Sequence, residues 1–216
     1  MSPSRRGVAA SATLAVAALA LSACAGAGST AGSAAPPSSG AEIGAVDLSG
    51  VCPSTVVIQT DWNPQAEQGG LFALLGADAE IDASRKSVSG PLMSAGEWTG
   101  VDVEIRAGGP AIGFQGVPSQ MYTDPDILLG WVNTDDAIAA SGTLPTTAVM
   151  STFEKAPWAI MWDPQTYPDA RTIADIGRTS ATVRYFDGTT YMDYLVGSGQ
   201  LRADQLDGSY DGTPAG

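Results

Sequence analysis

The chain has 216 residues, with 23 Asp and Glu against 10 Lys and Arg and a formal charge of −13. That excess of acid argues against nucleic acid or anionic lipid as an electrostatic partner. Histidine is absent and only two cysteines occur. The commonest general base, the commonest transition-metal ligand, zinc clusters and disulfide scaffolds are therefore excluded together.

Arg5 and Arg6 precede a short Ala-rich apolar stretch over residues 8–21, too short for the ~20 residues of a membrane span. It ends in Leu21-Ser22-Ala23-Cys24, which resembles the lipobox of bacterial lipoproteins. The resemblance implies a signal peptide over residues 1–23 and a diacylglycerol on the Cys24 sulfur, anchoring the chain to the outer face of the cell membrane. A plain secretory signal is the alternative. Residues 25–45 are almost wholly Ala, Gly, Ser, Thr and Pro, so residues 24–48 are expected as a flexible tether. Loss of the two leader arginines takes the charge from −13 to −15. Cys52 then has a partner elsewhere, is a free buried thiol, or lacks a partner in this chain.

Val56-Val57-Ile58 reads as a buried strand, and Thr60-Asp61-Trp62-Asn63-Pro64 as the loop that turns it into a helix. Asn63 is the expected N-cap and Pro64 the first helical residue, with the helix running to Leu75 and stopping at Gly76. Residues 76–100 show little apolar period and are expected to be irregular. Val101, Val103 and Ile105 alternate with Asp102, Glu104 and Arg106, a strand pattern. Gly108-Gly109 closes it, as a simple turn or, alternatively, a phosphate or sulfonate loop without dinucleotide or P-loop spacing. A short helix over 111–121 and a buried strand over 127–132 follow. Asn133 to Asp136 then cap a helix through Ala140. Further strands are expected over 146–150, 158–162 and 182–186, with Thr172 capping a helical turn that ends at Gly177. Asp187-Gly188-Thr189-Thr190 leads into a last helix ended by Gly197 and Gly199. Strands alternating with short helices imply an α/β layered fold with a largely parallel sheet.

The order of Thr60 to Pro64, Gly69-Gly70-Leu71, Gly100 to Ile105, Ile173 to Gly177 and Leu201 to Gly212 resembles extracytoplasmic solute-binding proteins of ABC importers. The similar branch binds sulfonates, nitrate, taurine or thiamine-pyrimidine precursors. The resemblance implies a two-lobed, periplasmic-binding-protein-like type II fold with parallel-sheet, three-layer lobes and a ligand in the cleft. Lobe one would span residues 49–145 and lobe two 146–216, with lobe two and the return strands incomplete. It implies a monomer that takes a small organic molecule or anion to permease subunits, with no cofactor or metal. Carried over by motif, Asp61, Trp62 and Asn63 line the cleft. Where pyrimidine-precursor relatives carry a histidine, this chain has Ala66-Glu67-Gln68-Gly69, and Gln68 can hydrogen-bond a ligand but cannot transfer a proton near neutral pH.

Trp62 is the strongest ligand-binding candidate, as an aromatic at the C-terminal end of a strand. Asn133 and Thr134 follow a second strand, and Tyr185 and Thr189 flank the corner before the last helix. Capping and packing are the competing roles for these four. An enzyme is the less favoured class. The acid pairs Asp124/Asp126 and Asp135/Asp136 lie on loops and caps, and no Gly-x-Ser-x-Gly elbow or histidine base occurs. A surface lipoprotein with an interaction role needs no pocket and is the other alternative.

Overall fold

β1 (Thr55–Gln59) lies inside a five-stranded sheet, flanked by parallel neighbours on both sides. Its three central residues are apolar and β-branched, as burial on both faces demands. One neighbour is β4 (Glu97–Arg106), in register Val56↔Val103 and Ile58↔Ile105; the other is β5 (Ile127–Gly130). β2 (Glu80–Asp82) and β3 (Ser87–Ser94) complete the sheet as an antiparallel extension, giving the order β2-β3-β4-β1-β5. The class is mixed α/β, as expected. The computed structural model describes residues 42–210. The expected signal peptide and the lipidation candidate Cys24 lie outside the described residues.

Both faces of the central strands are covered. Val56, Ile58, Val101, Val103 and Ile105 share one face and pack with Leu71 of α1 (Gly69–Phe72), Leu92 and Trp131. On the other face lies α2 (Val117–Thr123), close enough that a Cβ on Gly130 would sit 2.7 Å from Val117 Cγ1. Arg106 spans the rim of that face, 3.1 Å from Glu104 and 2.8 Å from Asp124. Cys52 is half-buried against the first cluster and has no disulfide partner among the described residues.

A second hydrophobic cluster is built from α4 (Ile173–Gly177), β6 (Val183–Arg184), α5 (Thr190–Gly197) and β7 (Leu206–Asp207). Ile176, Val183, Met192, Leu195 and Leu201 form its centre. β6 and β7 pair in parallel, and buried Gln205 ties them to α4 by donating to the Ile176 carbonyl at 3.4 Å as well as to the Ala181 carbonyl at 3.0 Å. Thr172 caps α4 as expected. Its hydroxyl accepts from the Asp175 N–H at 3.2 Å, while the Asp175 carboxylate accepts from the Thr172 N–H at 2.8 Å.

Several expectations are corrected. Residues 76–100 are not irregular: they form β2, β3 and the start of β4. The apolar period is hidden because Gly90 takes an inward position between Val88 and Leu92, where Ala79 Cα would lie 2.9 Å from any Cβ. The helix expected from Pro64 to Leu75 shrinks to a 3₁₀ turn over Ala66–Gln68 and α1, with Gln65 rather than Asn63 at the cap. Gly69-Gly70 carries too little helical propensity to sustain it. Residues 146–150 and 158–162 are not strands. No neighbouring strand pairs with them, and Val149, Met150 and Met161 are exposed. The end of the expected tether is held rather than loose. Gly44 and Leu48 donate to the carbonyls of Trp98 and Thr99, each at 2.8 Å, extending the sheet beside the first half of β4.

Candidate functional site

The C-terminal ends of β1, β4 and β5 converge where chain connections depart in opposite directions, the place where open α/β sheets bind ligands. Close backbone approach fixes this corner. The Gly108 and Gly109 N–H groups donate to the carbonyls of Trp62 and Asp61, both at 2.9 Å. A Cβ on Gly108 would lie 2.1 Å from the Thr60 carbonyl oxygen. The Thr60 hydroxyl, fully buried, is 2.9 Å from the carbonyl oxygens of both Arg106 and Trp62. Gly108-Gly109 is thus a packing turn whose donors are already used inside the protein.

Trp62, half-buried, lies over Gly109, whose φ of +55° and a Cβ-to-ring distance of 2.7 Å leave room only for glycine. Its ring contacts Phe114 at 5.8 Å between centroids and Phe186 edge-on at 5.2 Å, and those two rings are themselves 5.8 Å apart. Phe186 follows β6, so the triad joins the end of β1 to the segment of the second cluster. Phe114 holds a left-handed backbone, φ +59°, with its N–H bonded to the Gly109 carbonyl at 2.9 Å. A bulky side chain in that conformation costs about 1–3 kcal/mol and marks a functional candidate.

Asp61 is half-buried beside Trp62 and accepts from Gln68 Nε2 at 3.0 Å. Burial pushes its carboxyl above the usual range, and the charges of Glu67 and Asp136 add to that, against the lowering effect of hydrogen bonds from its own backbone and Gln68. Asp136 lies on α3 (Thr134–Ala140), where it accepts from Asn133 Nδ2 at 3.4 Å and from the Thr190 hydroxyl of α5 at 2.7 Å. The α3–α5 contact and the aromatic triad are therefore two links between the clusters.

The structure brings Asp61, Trp62 and Asn133 together with the start of α5, where the Thr189 hydroxyl is buried without a hydrogen-bond partner among the described residues. It does not bring in the rest. Gln68 is fully buried with both ends of its amide used, by Asp61 and by the Gln65 N–H at 3.3 Å, so it positions Asp61 rather than facing a ligand. Asn63 and Thr134 are exposed. Tyr185 packs on the second cluster and donates to Asp187 at 3.2 Å. Phe114, Phe186, Asp136 and Thr190 are members that sequence reasoning missed. Phe186 closes an expected strand and Phe114 follows a glycine, and neither position announces a ring contact.

A separate groove of about 650 Å³ opens at the opposite end of β4, between Trp98, Met93, Pro91, Ile43, Glu42 and Glu97. It shares no residue with the corner. No protein-family profile, curated protein or solved structure matches this chain.

Proposed function

We propose that this chain is a lipid-anchored substrate-binding subunit of an ABC-type importer, on the two-lobed type II plan. It captures a small organic molecule where lobe one, residues 49–145, meets lobe two, residues 146–216, and delivers it to permease subunits. The anchor is Cys24, after the Leu-Ser-Ala-Cys ending of the leader; two acyl chains hold a protein on a bilayer where one does so marginally. The observation that supports the reading most is the Trp62–Phe114–Phe186 triad beside Asp61, at strand C-termini and between two hydrophobic clusters. A ligand inserted there contacts both bodies and draws them together, the closure such proteins use to report occupancy.

The test is a thermal-shift screen of small solutes on the full chain, repeated on Trp62→Ala. A true ligand raises the midpoint by RT ln(1 + [L]/Kd), about 2.7 kcal/mol at a hundredfold excess over Kd, and Trp62→Ala reduces the effect. A screen with no saturable hit would refute the reading. Cys24→Ser should leave the membrane fraction; retention after processing would refute the anchor. A second reading, a surface lipoprotein with an interaction role, is favoured by the exposed Val149, Met150 and Met161 of the irregular segment. It expects partner binding that persists in Trp62→Ala.

A further inference from the structure

We infer that the ligand of the Trp62 corner is a small organic cation of the alkylammonium class, held by the Asp61 carboxylate and the ring faces of Trp62, Phe114 and Phe186. This deepens the binding-protein reading and rests on it. Aromatic faces carry negative potential and attract a cation within about 6 Å of the ring centroid. Three rings from three separate segments meet here, with centroids 5.2–5.8 Å apart. Asp61 adds a carboxyl group beside them and, among the described residues, has no Lys or Arg ion partner. Its charged neighbours, Glu67 and Asp136, are acids as well.

The same geometry disfavours an anion. Arg106, at the end of β4, is held by Glu104 and Asp124. Arg184 lies 3.8 Å from Asp207 and 3.4 Å from the Ser209 hydroxyl. The Gly108 and Gly109 N–H groups bond inward, and the hydroxyl of Thr190, at the start of α5, already donates to Asp136. The rings touch one another, so a cation takes its place by parting Phe186 from Trp62 and Phe114. Phe114 is already 58% exposed, which offers the first ring face.

The experiment is a tryptophan-fluorescence titration of the full chain at constant ionic strength. The probes are tetramethylammonium chloride, the neutral 3,3-dimethylbutan-1-ol and sodium methanesulfonate. The expected result is a saturable change with tetramethylammonium alone, weakened at least tenfold by Asp61→Asn, which is about 1.4 kcal/mol. Asparagine can still accept from Gln68, so that variant should melt no lower than the parent. Phe114→Leu should weaken binding several-fold, and decides alone if Asp61→Asn does not fold. Saturation by methanesulfonate or the alcohol, or tetramethylammonium affinity unchanged in the deciding variant, overturns the cation inference and leaves the binding-protein reading standing. Silence toward all three probes also overturns it; both readings fall only if the wide solute screen is silent too.

Discussion

Gly108→Ala tests whether the corner is organised by close backbone approach. The added methyl would meet the Thr60 carbonyl oxygen at 2.1 Å, the Asp61 carbonyl carbon at 2.4 Å and its oxygen at 2.7 Å. All three are backbone atoms, so no rotamer change relieves the overlap, and the ends of β1 and β4 must separate. Three backbone hydrogen bonds beyond the strand ladder cross that seam: Gly108 N–H to Trp62, Gly109 N–H to Asp61 and Thr60 N–H to Arg106, each 2.9 Å. At about 1 kcal/mol net apiece, with residual strain, the loss is roughly 3–4 kcal/mol. A chain of this size loses about 2–4 °C of melting temperature per kcal/mol. The midpoint should therefore fall by roughly 6–16 °C in a thermal melt followed by circular dichroism. Gly50→Ala is the control, because nothing lies within 4 Å of its Cβ position; it should stay within about 0.5 kcal/mol of the parent. A Gly108→Ala melt within 2 °C (about 1 kcal/mol or less) of the parent would refute the seam.

A double-mutant cycle on Trp62→Ala and Phe186→Ala, read by urea denaturation, should give a coupling of about 0.5–1.5 kcal/mol from their edge-on contact at 5.2 Å. Simple additivity would mean that the rings do not couple the two clusters. Asp175 is held at about 2, below its ordinary 3.8, first by the Arg171 N–H and then by the Thr172 hydroxyl and N–H. Its folded value is lowered, so its stabilising contribution is complete above 3.8 and lost as the pH falls toward 2. Asp175→Asn should flatten that part of the urea-midpoint profile, and an unchanged acid limb would remove the α4 cap from the acid response.

What could be read from the sequence was what a short window carries. The β-branched run at Val56 to Ile58, the alternation of Val101, Val103 and Ile105, and the Thr172 cap each depend on neighbours a few residues away, and each is present. β3 escaped because its inward positions are Val88, Gly90 and Leu92, and the glycine is there for the sake of Ala79, outside any local period. Residues 146–150 erred in the other direction: an apolar run becomes a strand only when an edge is available to pair with it. The site followed the same division. Asp61 and Trp62 were marked by their place between a strand and a turn. Phe114, Phe186, Asp136 and Thr190 belong to it only through tertiary contacts between distant segments.

The electrostatics of the corner separate what the fold requires from what binding uses. Asp61 and Asp175 both hold local geometry through hydrogen bonds, yet their carboxyls move in opposite directions. Asp175 gathers N–H donors on an exposed helix start, so ionisation stabilises the folded chain. Asp61 is pushed up by burial and by Glu67 and Asp136. The stability it contributes is present when it is protonated and is lost as the pH rises through its raised folded value. Its burial therefore works against the ionised form, although the Gln68 bond would survive with a neutral acceptor in its place. A group that fold stability would replace with asparagine is best explained by the function of the corner. On the proposed reading, a bound cation would supply the opposite charge that the surrounding residues do not, and would convert this unfavourable burial into an ion pair walled by aromatic rings.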